Sequence, residues 1–530
     1  MVHAQNSRKL LTETVILSSF SVGLQGLGLL LNIFLTHQLG AASVGEITLI
    51  GSFYSLAAIL SGGCGFIAAS RFMSEELGCG GNPHRVYQYI KSFCMTLSIL
   101  AAALLCIFAW LPEKLLHQPN LNAQTIRLLS ASLPLSALSA CLKGRCYAYN
   151  RVYLPAVSEC IEFLLRAGTL AFCTLFLIPR GSMSVLTALA LSMIAGQVST
   201  VLFLSCIRMP HRENCNICSF SFGRFLRQLL PVMGNASLVA ILSTTNDALV
   251  PLTLLQFGSS PTEALAQFGE FEAIIIPALF FPSVMQCVMS GLIVPELSKA
   301  KAAEDHHTIR LITERALEQT IAYALFIVMY LVQFGRQIGE VLGGDTFTGQ
   351  ILRFMAPVVP FIYLEIIMEG VLRGLGKHNF SSVNYLAEYI VRISVLLICV
   401  PMFGFYGIAA SYLACNLSGN TVRLYFVLRL TGLKPVWKRI LLRPAIALFG
   451  AWQIMLLMSK LCITLRLPAF AVMIICAAVS GLFYAGILYL INQPNIQSHR
   501  TKTAPVFQLD RCSRLLQNQR KKQHCQISRS

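Results

Sequence analysis

Residues 144–166 read GRCYAYNRVYLPAVSECIEFLLR, and residues 370–392 read GVLRGLGKHNFSSVNYLAEYIVR. At an offset of 226, Gly144 meets Gly370, Arg151 meets Lys377, Glu162 meets Glu388 and Arg166 meets Arg392. Each copy is a basic loop running into an apolar segment that carries E-x-x-x-R. A second match lies upstream, where HQLG ends at Gly40 and LQFG ends at Gly258, an offset of 218. The likeness is weak residue by residue but recurs in order, as an internal repeat does.

The surrounding segments decide what is repeated. Of 530 residues, 55% are hydrophobic and 12% charged, and the mean hydropathy is +0.66. A transmembrane helix needs about 20 mostly apolar residues. Fourteen such blocks run near 14–38, 46–69, 88–111, 127–148, 154–178, 184–206, 230–256, 268–294, 316–335, 351–372, 380–402, 405–428, 441–461 and 469–491. Numbered as spans 1 to 14, they define an all-α polytopic membrane protein. Spans 1–6 and 7–12 are the two copies. Six is even, so both copies enter from the same side, as parallel repeats with the transport path between the halves. The expected organisation is an N-terminal lobe over 1–220, a C-terminal lobe over 221–435, an appended helix pair over 436–492 and a basic tail over 493–530. That tail, expected to be solvated and without fixed structure, holds eight Lys or Arg against the single Asp510. Contact with anionic lipid is its alternative reading.

The formal net charge of +18 suggests nucleic acid until its placement is read. With a cytoplasmic N-terminus, 31 of the 41 Lys and Arg fall in cytoplasmic loops and the tail, 7 on the opposite side and 3 (Arg166, Arg392, Arg423) within spans. That bias fixes orientation by the positive-inside rule and puts both ends in the cytoplasm. The start carries no cleavable signal pattern, because the first apolar block is too long and no small-residue cleavage site follows it. The 18 cysteines are scattered through the spans, where a thiol acts as a small hydrophobe. Cys215 and Cys218, near His211, lack a second ligand pair for zinc, so a solvated loop is the better reading.

Ionisable groups inside spans are costly, commonly a few kcal/mol at the helix centre, and persist when paired or facing a cavity. Glu162 and Arg166 in span 5 are one turn apart, as are Glu388 and Arg392 in span 11, and Glu159 adds a further charge on the same face. One reading is an intrahelical pair that neutralises itself; the other is a polar lining for a central cavity. Span 7 carries Asn246 and Asp247 before Pro251. Span 8 carries Glu270 and Glu272 before Pro277 and Pro282. Glu365 and Glu369 stack in span 10, and Asn416, Asn420 and Arg423 share a face of span 12. Single polar residues often join helices, yet so many of them favour an aqueous cavity, with Asp247 between the lobes. No Walker loop, H-E-x-x-H or G-x-S-x-G context is present, and the loops are too short for a catalytic domain. The chain implies no cofactor and no metal.

Three stretches carry a family resemblance: NDALVPLTLLQFG with FGEFEAIIIPALFFPSVMQCVMSGLIVPELSKA across spans 7–8, G…P-x-x-x-E-x-x-E-x-x-x-R across spans 4–5, and GVLRGLGKHN before span 11. With fourteen spans, the chain up to about residue 490 resembles the multidrug/oligosaccharidyl-lipid/polysaccharide flippase superfamily, in the branch of the stage V sporulation protein B type. The resemblance implies two six-helix lobes in a V and alternating access that carries a lipid-linked glycan precursor outward. Such proteins usually carry arginines along span 1 and basic residues after the V-P of span 7. Here those positions hold Gln25 and Asn32, and Leu252 and Thr253, which argues against lipid II itself as cargo.

The reading is therefore a flippase or exporter of a lipid-linked saccharide in a bacterial inner membrane, serving spore cortex or envelope synthesis. Its partners would be membrane lipids, the lipid-linked saccharide, a coupling ion and envelope-synthesis enzymes, with no nucleic acid. A cation-coupled multidrug exporter is the runner-up, and a membrane-embedded glycan polymerase or ligase the third reading. A diphosphate needs cations on its path. Arg166 and Arg392 are expected to face the cavity from both lobes, held by Glu162 and Glu388 when the site is empty, with Arg71 at the cytoplasmic end of span 2.

Overall fold

The computed structural model describes residues 20, 23–62, 64–79, 81–107, 123–149, 151–207, 222–344, 346–433, 438–465 and 468–492. The Cys215/Cys218/His211 loop and the tail from 493 lie outside the described residues. Residues Met1–Tyr484 form one compact unit and Ala485–Ser530 a second, of which 485–492 are helical.

Every described element is helical. Span 1 is the helix over 23–39, and span 2 is Ala41–Gly62 followed by Gly65–Cys79. Then come Pro83–Ile107, Ala123–Ala148, Tyr153–Phe172, Val185–Cys206 and Phe222–Phe257 as spans 3 to 7. Span 8 is the broken run Pro261–Ala302, span 9 His306–Val341 and span 10 Phe347–Gly374. His378–Phe403, Phe405–Thr431, Arg443–Thr464 and Ala469–Asn492 complete the order as spans 11 to 14. Among the described residues twelve helices are long and apolar enough to cross a membrane. The helices over 23–39 and 405–431 occupy the places of spans 1 and 12, so the arrangement is compatible with fourteen.

Several helices outrun their apolar blocks. Span 7 and span 9 have 36 residues each, about 54 Å at ~1.5 Å per residue, against a hydrocarbon core of about 30 Å. Their ends therefore stand in water. Asp305 caps span 9 by accepting from the Thr308 amide at 3.0 Å and the Thr308 hydroxyl at 2.6 Å. The Thr308 hydroxyl bond, with the amide bond beside it, holds the Asp305 carboxyl below its ordinary range. Because one unbroken helix joins them, Lys301 and Gly343 should label from opposite membrane faces when each carries a single reporter. Labelling of both from one face would remove span 9.

The repeat is visible in the packing. Gly40 and Gly258, which end spans 1 and 7, both take left-handed backbone, with φ of 81° and 110°. A Cβ on Gly144 would lie 2.6 Å from the Phe66 carbonyl oxygen, and one on Gly370 would lie 3.2 Å from Ser290 Cβ. Span 4 thus meets span 2 through a glycine, as span 10 meets span 8. Spans 5 and 6 pack along one another, and so do spans 11 and 12. The halves do not separate into two compact units, because span 2 packs onto both span 7 and the start of span 8. The appended span 13 reaches span 9, where Arg439 meets Glu318 at 3.0 Å and Glu314 at 3.9 Å.

Candidate functional site

A cavity of about 650 Å³ lies between the halves. Span 2 contributes Thr48, Ser52 and Ser55, span 7 contributes Asn235 and Ser243, and span 11 contributes Tyr389, with small and aliphatic residues between them. Span 6 adds Met193. The wall is hydroxyl, amide and hydrocarbon. None of the residues singled out from the sequence is in it, and the charged ones gather in clusters outside it.

The first cluster is in the second half. Arg423 of span 12 is fully buried, its guanidinium 3.0 Å from Glu369, 3.0 Å from Glu388 and 3.8 Å from Glu365. It donates to Asn420 Oδ1 at 2.6 Å and lies 4.9 Å from the Tyr385 ring centroid. Asn384 donates to Glu388 Oε1 at 2.6 Å. Spans 10, 11 and 12 converge here because Gly419 leaves the Glu388 side chain the space that a Cβ would fill. Three carboxylates thus face one guanidinium.

The second cluster is its counterpart in the first half. Glu162 lies against Gly196 of span 6, where a Cβ would be 3.3 Å from Glu162 Cγ. It accepts from Gln197 Nε2 at 3.0 Å and Thr200 Oγ1 at 3.0 Å. Its ion-pair partner is Lys143 of span 4, at 3.1 Å. Lys143 also approaches Glu159 at 3.5 Å.

These contacts correct the expected pairing. Glu162 pairs with Lys143 and not with Arg166; Glu388 pairs with Arg423 and not with Arg392. In each case the carboxylate is drawn across to a neighbouring span, where a glycine opens space and hydrogen-bond donors wait. The further charge of Glu159 is met by Lys143, which the Ala123–Ala148 helix carries. Arg166 has no ion pair among the described residues. It is half-buried, 5.8 Å from the Phe163 ring centroid. Arg392 is held away from the cavity, 3.7 Å from Glu272 and 4.9 Å from the Tyr412 ring centroid.

A third group joins the halves. Asp247 accepts from Ser52 Oγ of span 2 at 2.6 Å and from Asn246 Nδ2 at 3.1 Å. Asn32 donates to the Ala273 carbonyl at 3.2 Å. That carbonyl belongs to the π-helical turn Phe271–Ile275, just before Pro277. Gln25 is exposed on span 1. Arg71 pairs with Glu75 at 3.1 Å on an open surface. Among the described residues no group of three His, Cys, Asp or Glu could hold a metal.

Sequence reasoning missed Lys143, Gln197, Thr200 and Ser52. The offset of 226 that matches Glu162 to Glu388 also matches Lys143 to Glu369, so the repeat held a signal for Lys143. The two clusters occupy matching places, with the cation on span 4 in one half and on span 12 in the other.

The repeated helices around a central cavity have the fold of the multidrug/oligosaccharidyl-lipid/polysaccharide flippase superfamily, a class of membrane flippases and exporters. The chain is similar to the stage V sporulation protein B of Bacillus subtilis (strain 168), 20% identical over 412 residues, 75% of this chain and 80% of that protein. It is also similar to the multidrug export protein MepA of Staphylococcus aureus (strain N315), 26% identical over 137 residues, 25% of this chain and 30% of that one. Among solved structures, an inward-facing multidrug resistance MATE family transporter aligns with a TM-score of 0.63 at 13% identity, covering 80% of this chain and 98% of that one. The lipid II flippase MurJ, in an inward closed conformation, aligns with a TM-score of 0.63 at 15% identity, covering 90% and 99%. No protein-family model matches the chain.

Proposed function

We propose that the protein carries a lipid-linked oligosaccharide or another cell-envelope precursor outward across a bacterial inner membrane by alternating access, acting as a transporter and not as an enzyme. The lobes over 1–220 and 221–435 would move about the cavity, with 436–492 appended and both termini cytoplasmic. The observation that carries this reading is the cavity between the halves, whose hydroxyl and amide lining from spans 2, 7 and 11 suits the hydroxyls of a glycan. The similarity to the stage V sporulation protein B supports it. Arg166, half-buried in span 5 and without an ion pair among the described residues, is assigned to the phosphate of such a cargo. Envelope-synthesis enzymes would supply and consume the cargo.

A second reading, a cation-coupled multidrug exporter, draws on the second-half cluster. Three carboxylates around Arg423, of which Glu369 and Glu388 are buried, leave negative charge that an apolar medium does not tolerate unbalanced, and a shared proton would balance it. Both readings meet in one assay. Proteoliposomes holding the full chain are given a labelled lipid-linked saccharide or a cationic dye, with and without a proton gradient. Movement of the saccharide supports the first reading; movement of the dye alone overturns it. In the saccharide assay Arg166→Ala should lower the rate at least tenfold while the protein remains inserted and folded. An unchanged rate would remove Arg166 from the path.

A further inference from the structure

The two hairpins that turn at Gly40 and Gly258 meet at one face of the helical assembly. There span 2 crosses span 8 backbone against backbone. A Cβ on Gly269 would lie 2.6 Å from the Gly45 nitrogen, and one on Gly45 would lie 3.2 Å from the Gly269 nitrogen. The two glycines bring backbone onto backbone, as small residues allow helices to do, and beside them Leu49 of span 2 shares an apolar cluster with Leu265 and Phe268 of span 8. Immediately behind it, hydrogen bonds tie one half to the other. Asn32 reaches the Ala273 carbonyl at 3.2 Å, Thr244 Oγ1 donates to the Ser52 carbonyl at 3.2 Å, and Ser52 Oγ donates to Asp247 Oδ2 at 2.6 Å. The last is short and has a carboxylate acceptor, the stronger kind of hydrogen bond. Ser52 and Thr244 are also cavity-lining residues. From them the cavity runs along span 2 to Ile59 and along span 7 to Asn235, away from the glycine crossing.

We propose that Ser52 and Asp247 form a latch that keeps the cavity shut at the Gly40/Gly258 face, and that transport opens this face by parting the Gly45–Gly269 seam. The latch lies where a carboxylate inside a span would otherwise be unexplained: Asp247 is not itself a lining residue, yet it holds one, Ser52. Asn246 steadies its other oxygen at 3.1 Å. The proposal rests on the alternating-access reading, and its test reads conformation instead of cargo movement.

Amide hydrogen exchange is followed by mass spectrometry on the full chain in lipid nanodiscs, for the wild type and for Ser52→Ala, Asp247→Ala and Gly269→Ala. The first two remove the latch. The third inserts a methyl group into the seam against the Gly45 backbone. In all three, exchange over 41–52 and 265–273 should rise by roughly tenfold, the equivalent of losing about one charge-assisted hydrogen bond. The segments at the opposite ends of spans 2 and 8, 71–79 and 296–302, should slow as that face closes. Should Asp247→Ala raise exchange throughout the chain, it has unfolded, and the other two variants decide. Unchanged exchange over 41–52 and 265–273 in Ser52→Ala and Gly269→Ala overturns the latch. If exchange shifts as stated but neither the saccharide nor the dye moves in proteoliposomes, the cargo reading fails and the latch stands.

Discussion

Arg423→Leu should destabilise the protein by about 3–5 kcal/mol, the usual result of removing one partner from a buried charge cluster. The side chain is fully buried and is the cation on which Glu365, Glu369 and Glu388 converge. Without it, carboxylates on spans 10 and 11 would face one another in a medium that screens them weakly. The readouts are the yield of monodisperse protein and its melting temperature in detergent. The triple variant Arg423→Leu with Glu369→Gln and Glu388→Gln should recover most of the loss, because the buried like charges are then gone. If Arg423→Leu melts with the wild type, the cluster is not a unit of the fold. If the triple variant is no better than the single one, packing and not charge holds these spans.

Lys143→Met and Arg166→Ala should separate cleanly. Lys143 is the cation nearest Glu162 and Glu159, at 3.1 and 3.5 Å. The side chains of Lys143 and Glu162 are 17% and 16% exposed, so some solvent screening remains. Its loss should cost about 1–3 kcal/mol, and the double variant with Glu162→Gln should recover it. Arg166→Ala should change stability by under about 1 kcal/mol, since this arginine has no ion pair to lose. An intrahelical Glu162–Arg166 pair would produce the reverse order. Melting curves of the three variants distinguish the two pairings without any transport assay.

The same residues show how far a sequence reading carries. Spans, repeat and basic bias were legible because each is a local property of the chain. An apolar block of about 20 residues has few options beyond a membrane helix. The offset that aligned Gly144 with Gly370 also recurs in the crossings these glycines make. Partners were not legible. Glu162 and Arg166 are well spaced to meet along one helix, and nothing in that spacing reports that Gly196 of span 6 offers Glu162 a notch with Thr200 and Gln197 beside it. The same holds for Glu388, which Gly419 admits toward Arg423 at a sequence distance no periodicity can span.

The cavity illustrates the division most plainly. Which residues are polar inside spans 2, 7 and 11 is written in the order of amino acids, and so is the cost of placing charge there. That cost determined that Arg423, Arg392 and Lys143 would seek counter-ions. The choice among the available glutamates was left to helix packing, because each carboxylate can reach several spans and goes to the one where a glycine opens space and donors are already placed. Sequence alone therefore determined the helices, their repetition and the need for pairing. Tertiary structure decided who pairs with whom, and with it that the cavity wall is made of hydroxyls, the Asn235 amide and hydrocarbon while the charges stand outside it.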